Sequence, residues 1–290
     1  MLSWWCSGQT AVPWAWTPQP YVGIWLVMLG MAAGYGLLVR REARRTGEPV
    51  GRNRVTAFLV GWGALWIATD WPLGALAAGY LLSASMVQIM IYIYIASPLL
   101  MFSVPAPIRD RWLLAPGAGS LRWVVGRPLV AFMVLQGALL VTHLPPVADP
   151  LKALQLGTML MDVIWFGAAV LFWWALDTYR PASTGLQFGK RALYILASKA
   201  APTVLGVYLT FDNFPLFTTY EFANRVWPTF TALDDQQAAG LIMWMAMTPL
   251  LLVRLAIVFQ SWSRAEAPPE HPLPTGASPQ RATTTGSRDE

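Results

Sequence analysis

The stretch over residues 81–107 reads L-L-S-A-S-M-V-Q-I-M-I-Y-I-Y-I-A-S-P-L-L-M-F-S-V-P-A-P. It is long and apolar enough to cross a membrane, for which about 20 apolar helical residues suffice. Its first half nevertheless carries two serines, a glutamine and two methionines. Polar groups inside a membrane helix are costly and usually have a function. We therefore predict a membrane helix whose polar residues have a specific role.

The composition of the whole chain agrees with this prediction. Of the 290 residues, 56% are hydrophobic and only 12% are charged, which is typical of a polytopic membrane protein. The pattern predicts an all-α fold, a bundle of seven transmembrane helices. The predicted crossings cover residues 21–39, 55–69, 73–103, 128–142, 151–176, 192–210 and 238–262. Within the first crossing, Gly30 and Gly34 form a small-x-x-x-small pair that predicts close packing against a neighbouring helix.

The distribution of basic residues predicts the orientation. Sixteen of the 20 lysines and arginines fall in residues 40–54, 109–127, 180–191 and beyond 263, and Lys199 and Arg254 fall inside predicted crossings. Only Lys152 and Arg225 fall on the opposite side, and basic loops stay in the cytoplasm. We therefore predict a periplasmic tail over residues 1–20, a membrane domain over 21–262 and a cytoplasmic tail over 263–290. The last segment is rich in proline, serine and threonine, which predicts disorder.

Several classes of function find no support in the sequence. The single Cys6 cannot form an intrachain disulfide. The net charge of +5 is explained by basic loops facing anionic membrane lipid, so no nucleic-acid partner is predicted. We find no phosphate-binding glycine loop, zinc-protease pair or nucleophile elbow, and we predict that the protein is not an enzyme. The sequence carries no signal for an oligomeric state.

Five short strings, taken in order, point to one family. They are L-S-A-S-M-V-Q at 82–88, S-P-L-L at 97–100 with a proline at 105, H-L-P at 143–145, F-W-W at 172–174 and L-D-D-Q-Q-A-A-G-L-I-M-W at 233–244. In order and spacing the chain resembles the CtaG family of seven-helix cytochrome c oxidase assembly factors, over roughly residues 21–262. The D-Q-Q-x-x-G-x-I-M segment is the most specific of these strings.

The resemblance implies a bacterial inner-membrane protein of the respiratory chain that acts as an assembly chaperone. It implies contact with a subunit of a haem-copper cytochrome c oxidase, and help with copper delivery or with maturation of that subunit. Family members commonly carry a histidine where Ser85 stands, and many carry a second where Ile89 stands. Such a pair at i and i+4 could bind one metal ion. Serine is a poor copper ligand and isoleucine has no donor atom, so this imidazole site is missing here.

The remaining candidate copper ligands are few. In the fifth crossing the family tends to place histidines where this chain has Thr158 and Asp162. Met86 and Met90 lie at i and i+4, as do Met243 and Met247, and thioether sulfur suits Cu(I). A methionine stripe at helical spacing is also typical of core packing. Copper binding by these methionines and plain packing both remain open.

His143 lies in a predicted outer loop, and His271 is the only other histidine. Together with Asp149, Asp234, Asp235 and Gln236 on the same face, His143 could bind a metal transiently or dock a partner. The alternatives are a hydrogen-bonded loop histidine and, for the two adjacent carboxylates, N-capping of the last crossing. The candidate metal ligands are therefore Met86, Met90, His143 and Met243.

Two charged residues lie inside predicted crossings. Asp162 and Lys199 both fall near mid-depth on consecutive antiparallel helices, which predicts an ion pair or a shared polar cavity. Such a pair could fix helix register or form part of an ion path. Gln88 is predicted to bond a neighbouring helix, and Pro98 is predicted to kink its own. The candidate docking residues are Gln88, Pro98, Asp235, Gln236 and Gln237.

Three classes of function follow. The first is an oxidase assembly factor, which we favour on the resemblance. The second is a transporter or channel that uses the Asp162 and Lys199 region as its path. The third is a membrane enzyme, for which the sequence offers no nucleophile, acid–base pair or cofactor motif.

Overall fold

A computed structural model describes residues 3–8, 12–178, 185–246 and 248–266. Over these ranges the regular structure is helical and contains no strand. The helices are α1 (Val22–Thr46), α2 (Arg52–Thr69), α3 (Leu73–Gly79), α4 (Leu82–Ile91), α5 (Ser97–Ser103), α6 (Ala106–Leu114), α7 (Gly119–Val125), α8 (Pro128–Thr142), α9 (Pro145–Lys152), α10 (Gln155–Thr178), α11 (Gly185–Ala197), α12 (Ala200–Phe211), α13 (Thr218–Glu221), α14 (Ala232–Leu241) and α15 (Thr248–Glu266).

Membrane-type helices are present, as the composition predicts. Four stretches, Val22–Thr46, Leu82–Ser103, Gln155–Asp177 and Gly189–Phe211, are long and apolar enough to cross a membrane. Helices α7 and α8 would form a fifth span if they are taken together, although they meet at an angle of 94°. The structure therefore supports four or five crossings by length and composition, while the count of seven and the orientation remain predictions.

The stretch Leu82–Ser103 is central and α1 is peripheral. Of the most apolar window of each stretch, 61% is buried inside the protein for Leu82–Ser103 but only 17% for Val22–Thr46. A Cβ atom added to Gly30 or Gly34 would meet nothing within 4 Å, so the close packing predicted for this pair is not formed within the described chain. Most of α1 is thus left to face lipid or another protein.

The third predicted crossing is interrupted near its start. Helix α3 ends at Gly79, Leu81 is extended with φ −135° and ψ 120°, and a new helix begins at Leu82. The single helix expected over residues 73–103 is therefore wrong in its first third. The break creates a helix N-terminus inside the protein, whose free N–H groups need acceptors.

Helices α4 and α5 are joined by a π-helical turn, Tyr92–Ala96, directly before Pro98. Proline has no N–H, and its ring crowds the carbonyl four residues earlier, so a regular α-helix is disfavoured there. The wider turn relieves this, and the Ser97 hydroxyl donates to the Tyr92 carbonyl over 2.7 Å. A second π-helical turn, Ile242–Ala246, lies between α14 and α15, shortly before Pro249.

Helices α12 and α14 approach each other at two glycines. A Cβ on Gly240 would lie 2.6 Å from the Gly206 carbonyl oxygen, and one on Gly206 would lie 2.8 Å from the Gly240 carbonyl oxygen. No real Cβ tolerates such distances, so these backbones touch only because both residues are glycine. Gly240 is the glycine of the D-Q-Q-x-x-G segment, which gives that motif position a packing reason.

Candidate functional site

Lys152, the last residue of α9, lies at the centre of a buried polar cluster. The residue is only 4% exposed, and its ammonium donates to the Ala77 carbonyl over 3.0 Å and to the Ser85 hydroxyl over 3.3 Å. A buried ammonium is stable only when its donors are used. The cluster therefore connects α9 to the end of α3 and the first turn of α4.

Two aromatic rings complete the surroundings of this ammonium. Lys152 Nζ lies 5.6 Å from the ring centroid of Trp165 and 5.5 Å from that of Tyr220, within the range of cation–π attraction. The Tyr220 hydroxyl also donates to the Ala77 carbonyl over 2.6 Å. Burial lowers the pKa of Lys152, and the negative charges of Asp162 and Asp149 partly oppose this effect.

Asp162 lies on α10 next to this cluster. Its Oδ2 accepts a 2.9 Å hydrogen bond from the Trp5 indole, while its Oδ1 is buried without a hydrogen-bond partner. Lys152 is close enough for its charge to attract this carboxylate, but the two do not form one of the ion pairs of the described residues. Residues 3–8 are thus not a free tail: Trp5 and Cys6 are buried, and the Gly8 N–H donates to the Lys152 carbonyl over 2.8 Å.

The predicted ion pair between Asp162 and Lys199 is not among the ion pairs of the described residues. Lys199 donates instead to the Trp244 carbonyl over 2.8 Å and to the Thr248 hydroxyl over 2.7 Å. The physical reason is a break in the sixth predicted crossing, since Lys199 stands between α11 and α12. The position of Lys199 therefore does not follow from its depth along a single regular helix.

Gln88 makes its contact with a neighbouring helix through a tyrosine. Its amide donates to the Tyr92 hydroxyl over 2.9 Å, and that hydroxyl lies 2.8 Å from the Thr69 hydroxyl at the end of α2. All three residues are buried. This chain of hydrogen bonds links α4 to α2 just before the π-helical turn that precedes Pro98.

Asp235, in the D-Q-Q segment, caps α4 from another helix. Its carboxylate accepts from the Leu82 N–H over 2.6 Å, from the Ser83 N–H over 3.1 Å, and from the Ser83 hydroxyl. Asp235 is fully buried, and this burial raises its pKa although the hydrogen bonds act in the opposite direction. The motif carboxylate therefore supplies the acceptors that the new N-terminus of α4 requires.

The neighbours of Asp235 have other partners. Asp234 forms a capping box with Thr231, which confirms N-capping at the start of α14 for this carboxylate alone. Gln236 accepts from the Leu216 N–H over 2.8 Å and donates to the Phe214 carbonyl over 3.0 Å, which holds the preceding loop. Gln237 is half-buried.

His143 is buried at the end of α8. Its Nδ1 lies 2.7 Å from the Leu139 carbonyl oxygen, and since a carbonyl only accepts, Nδ1 carries the hydrogen. Nε2 is buried without a hydrogen-bond partner, and the ring centroid lies 6.1 Å from that of Trp165. Burial lowers the pKa of His143 to about 4, so the imidazole is neutral near pH 7.

The oxygen donors predicted to accompany His143 are used elsewhere. Asp149 accepts from the backbone N–H groups of Thr218 and Thr219 over 3.0 and 3.1 Å, and so caps α13. Asp235 caps α4, as described above. In the part of the chain that the structure describes, no group of three or more histidine, cysteine or acidic residues could hold a metal ion.

The candidate methionines lie in the main hydrophobic core. Met86, Met90 and Met243 are at most 1% exposed and belong to the same cluster of buried apolar side chains. Met247 lies outside the described residues. These positions agree with a packing role, and copper binding by the three described methionines remains a prediction.

The surroundings of Ser85 do not fit copper. A metal site there would need several neutral or negatively charged donors around Ser85. The structure has the ammonium of Lys152 within hydrogen-bonding distance of that hydroxyl. A positive side chain in this position repels a metal cation, so the contact between Ser85 and Lys152 does not fit a metal site.

Together these observations define a helical membrane protein whose buried polar groups mainly join helices to one another. Residues 33–265 match the family model described as cytochrome c oxidase caa3 assembly factor (Caa3_CtaG), and the chain belongs to that family. The resemblance derived from the short motifs is therefore confirmed. No curated protein and no solved structure matches the chain.

Two residues of the cluster were missed by the sequence reasoning. Lys152, the second residue of the crossing predicted over 151–176, is assigned to the outer side, and Trp5 is assigned to a tail by the prolines around it. A usable signal exists for the first: Lys152 lies at the start of the crossing that carries Asp162, so two opposite charges lie close in sequence at one end of a helix. No sequence signal connects Trp5 to Asp162.

Proposed function

We propose that this protein is an integral protein of the bacterial inner membrane that helps to assemble a haem-copper cytochrome c oxidase by binding one of its subunits. The observation that carries the proposal is the family match over residues 33–265. The membrane-type helices support it, since oxidase subunits are membrane proteins themselves. The protein acts by contact and catalyses no reaction of its own.

In this proposal the chain crosses the membrane seven times, with its N-terminus in the periplasm and its C-terminus in the cytoplasm. Helix α2 and the stretch α14–α15 supply the crossings beyond the four or five that length and composition indicate. The distribution of basic residues supports the orientation. Cysteine accessibility at position 6 is unsuited to test it because Cys6 is buried, so a reporter fused after residue 290 is the better measurement.

Of the two ways to assist assembly, subunit maturation by contact has more support than copper delivery. The Lys152 ammonium at Ser85 is unfavourable for a copper ion at the position where relatives are expected to hold one. Copper delivery would depend on the predicted donors Met86, Met90, Met243 and His143. Copper analysis of the purified protein distinguishes copper delivery from maturation by contact. A tightly held copper ion would contradict maturation by contact alone.

Gene deletion tests the function itself. Loss of this protein should abolish oxidase activity and the haem-copper absorption spectrum, while membrane amount and total cellular copper stay normal. Restoration of activity by excess copper alone would show that delivery is the missing step. An unchanged oxidase in the deletion strain would overturn the assembly function.

The transporter alternative has little structural support. Its predicted path required Asp162 and Lys199 to share a polar site, and these residues bond to different partners. Altered solute or metal content in a deletion strain with a normal oxidase would favour this alternative over assembly.

A further inference from the structure

A cavity of about 250 Å³ lies at the opposite end of the bundle from Lys152. Side chains from α2, α5, α6, α10, α11 and α15 line it. The charged ones among the described residues are Arg54, Arg109, Arg191, Arg254 and Asp177. One carboxylate faces four guanidinium groups, so the cavity carries an excess of positive charge and attracts anions.

Arg109 has a buried donor that no protein group satisfies. The residue is only 6% exposed, and one of its terminal nitrogens forms an ion pair with Asp177. Its Nε is buried and has no hydrogen-bond partner. Buried guanidinium donors normally find acceptors, so this nitrogen indicates that a residue lining the cavity lacks an acceptor from the protein itself.

Arg191 repeats this feature from a second direction. Its Nε is also buried without a hydrogen-bond partner. It borders a second cavity of about 240 Å³, which shares Leu176 with the first and adds the exposed cation Lys190. The two cavities therefore meet at Arg191, and a ligand with a charged head could contact arginines from both sides.

The other two arginines are held in place by the protein. Arg54 donates to the Phe102 carbonyl over 2.8 Å, and the Arg254 guanidinium lies 5.3 Å from the ring centroid of Trp173. Neither contact neutralises the charge. Apolar side chains form the rest of the wall, namely Pro98, Met101, Leu176, Ile195 and Ile257.

The cavity lies at the end of the membrane-type helices. The apolar stretches Leu82–Ser103 and Gln155–Asp177 both end beside it, and Gly189–Phe211 begins there. The ends of apolar stretches mark the boundary between hydrocarbon and headgroups. An anion at this depth, next to an apolar wall, would be an amphiphile with its charge at the membrane surface.

We propose that this arginine-lined cavity binds a phosphate group, supplied by the headgroup of an anionic membrane phospholipid. The planar guanidinium matches phosphate oxygens in pairs, so Arg109 and Arg191 would each direct their free Nε–H to the phosphate. The acyl chains would lie along the apolar wall. The site is independent of oxidase assembly, and its failure would leave the proposed function intact.

The test uses the full-length protein in detergent after lipid removal. Phosphatidylglycerol, phosphatidylcholine and inorganic phosphate are added separately, and binding is measured by native mass spectrometry and by the shift in melting temperature. Phosphatidylglycerol should bind and raise the melting temperature, and phosphatidylcholine should bind more weakly. Arg191→Gln and Arg254→Gln should each weaken binding by about tenfold or more, because each removes charge-assisted hydrogen bonds.

Arg122→Gln is the matched control. Arg122 is an exposed arginine on α7 that lines neither cavity, so its replacement should leave binding unchanged. Arg109→Gln alone would leave Asp177 without its cation, so it is combined with Asp177→Asn to keep the fold comparable.

The outcomes separate the sources of the phosphate. Binding of phosphatidylglycerol that depends on Arg191 and Arg254 supports the proposal in full. Binding of inorganic phosphate with the same dependence, and of no lipid, supports the phosphate site and overturns the lipid as its source. If neither phosphatidylglycerol nor inorganic phosphate binds, or if all variants bind equally, the proposed site is wrong.

Discussion

Lys152 and Arg109 are both buried cations, and they differ in what surrounds them. Lys152 uses its ammonium on a carbonyl, a hydroxyl and two aromatic rings. Arg109 has one carboxylate partner, an unused Nε–H and a cavity of about 250 Å³ beside it. Burial of a charge therefore does not by itself indicate a ligand site. Unused donors together with free volume do.

The two sites lie at opposite ends of one continuous helical stretch. Ser85 belongs to the first turn of α4, and Phe102 to the last turn of α5. Seventeen residues of helix separate them, or about 25 Å at 1.5 Å per residue. We call the Lys152 side the closed end and the arginine side the open end.

The largest expected effect is at the closed end. Lys152→Met should lower the free energy of unfolding by about 3–5 kcal/mol, because the Ala77 carbonyl and the Ser85 hydroxyl each lose a charged donor and Asp162 loses a nearby positive charge. Unfolding of the detergent-solubilised protein measures this. Lys190→Met, at an exposed lysine, is the control and should change little.

A double variant sharpens this test. If Lys152 and Asp162 act on each other, Lys152→Met with Asp162→Asn should be less destabilised than the sum of the single variants. If the losses of the two single variants simply add up in the double variant, Lys152 and Asp162 do not interact electrostatically.

A smaller effect is expected where Asp235 caps α4. Asp235→Ala should cost about 2–3 kcal/mol, because two buried N–H groups and the Ser83 hydroxyl lose a charged acceptor. Asp234→Ala removes an exposed cap next to it and should cost clearly less, because the bonds that Asp234 accepts from Thr231 are exposed to water. Equal losses in thermal unfolding would contradict the cross-helix cap.

The closed end should also make stability depend on pH through His143. Its pKa falls from 6.5 to about 4 on burial, so the unfolded chain binds more protons than the folded one between these values. Stability should therefore be complete above pH 6.5 and decrease as the pH falls towards 4. His143→Gln should flatten this part of the unfolding profile, and an unchanged slope would show that the imidazole is not buried.

The smallest effect on stability is expected at the open end. Arg191→Gln should change the free energy of unfolding by no more than about 0.5 kcal/mol in lipid-free detergent, because its Nε has no protein partner to lose. With phosphatidylglycerol present, the free energy of unfolding should rise for the unmutated protein and rise less for Arg191→Gln. A large loss without lipid would make Arg191 a structural residue like Lys152.

The sequence alone was sufficient for the class, the family and the position of the central helix. Apolar length and short motifs are local properties, and they led to the membrane-type helices and to the family that the match over residues 33–265 confirms. The departure from a regular α-helix near Pro98 was also foreseeable, since proline disfavours a regular helix wherever it stands.

The partners of the polar residues were not foreseeable, because they depend on how helices pack. Lys152 reaches Ser85 across 67 positions, and Asp235 reaches Leu82 across 153. Asp162 and Lys199 were paired by depth, but a break before α12 places Lys199 against Trp244. Depth in the membrane restricts a partner to a layer and leaves its direction around the helix undetermined.

The two π-helical turns lie between the closed end and the open end of the protein. Each turn accommodates an extra residue, so residues beyond it are rotated by about 100° relative to a regular helix. Ser85 and Asp235 stand before these turns, whereas Phe102 and Arg254 stand after them. Deletion of one residue from either turn would remove this extra residue and restore a regular α-helix, so that both the capping contacts and the arginine wall stay in register. A one-residue deletion in a regular part of the same helices would instead turn the arginine wall by about 100° away from its cavity.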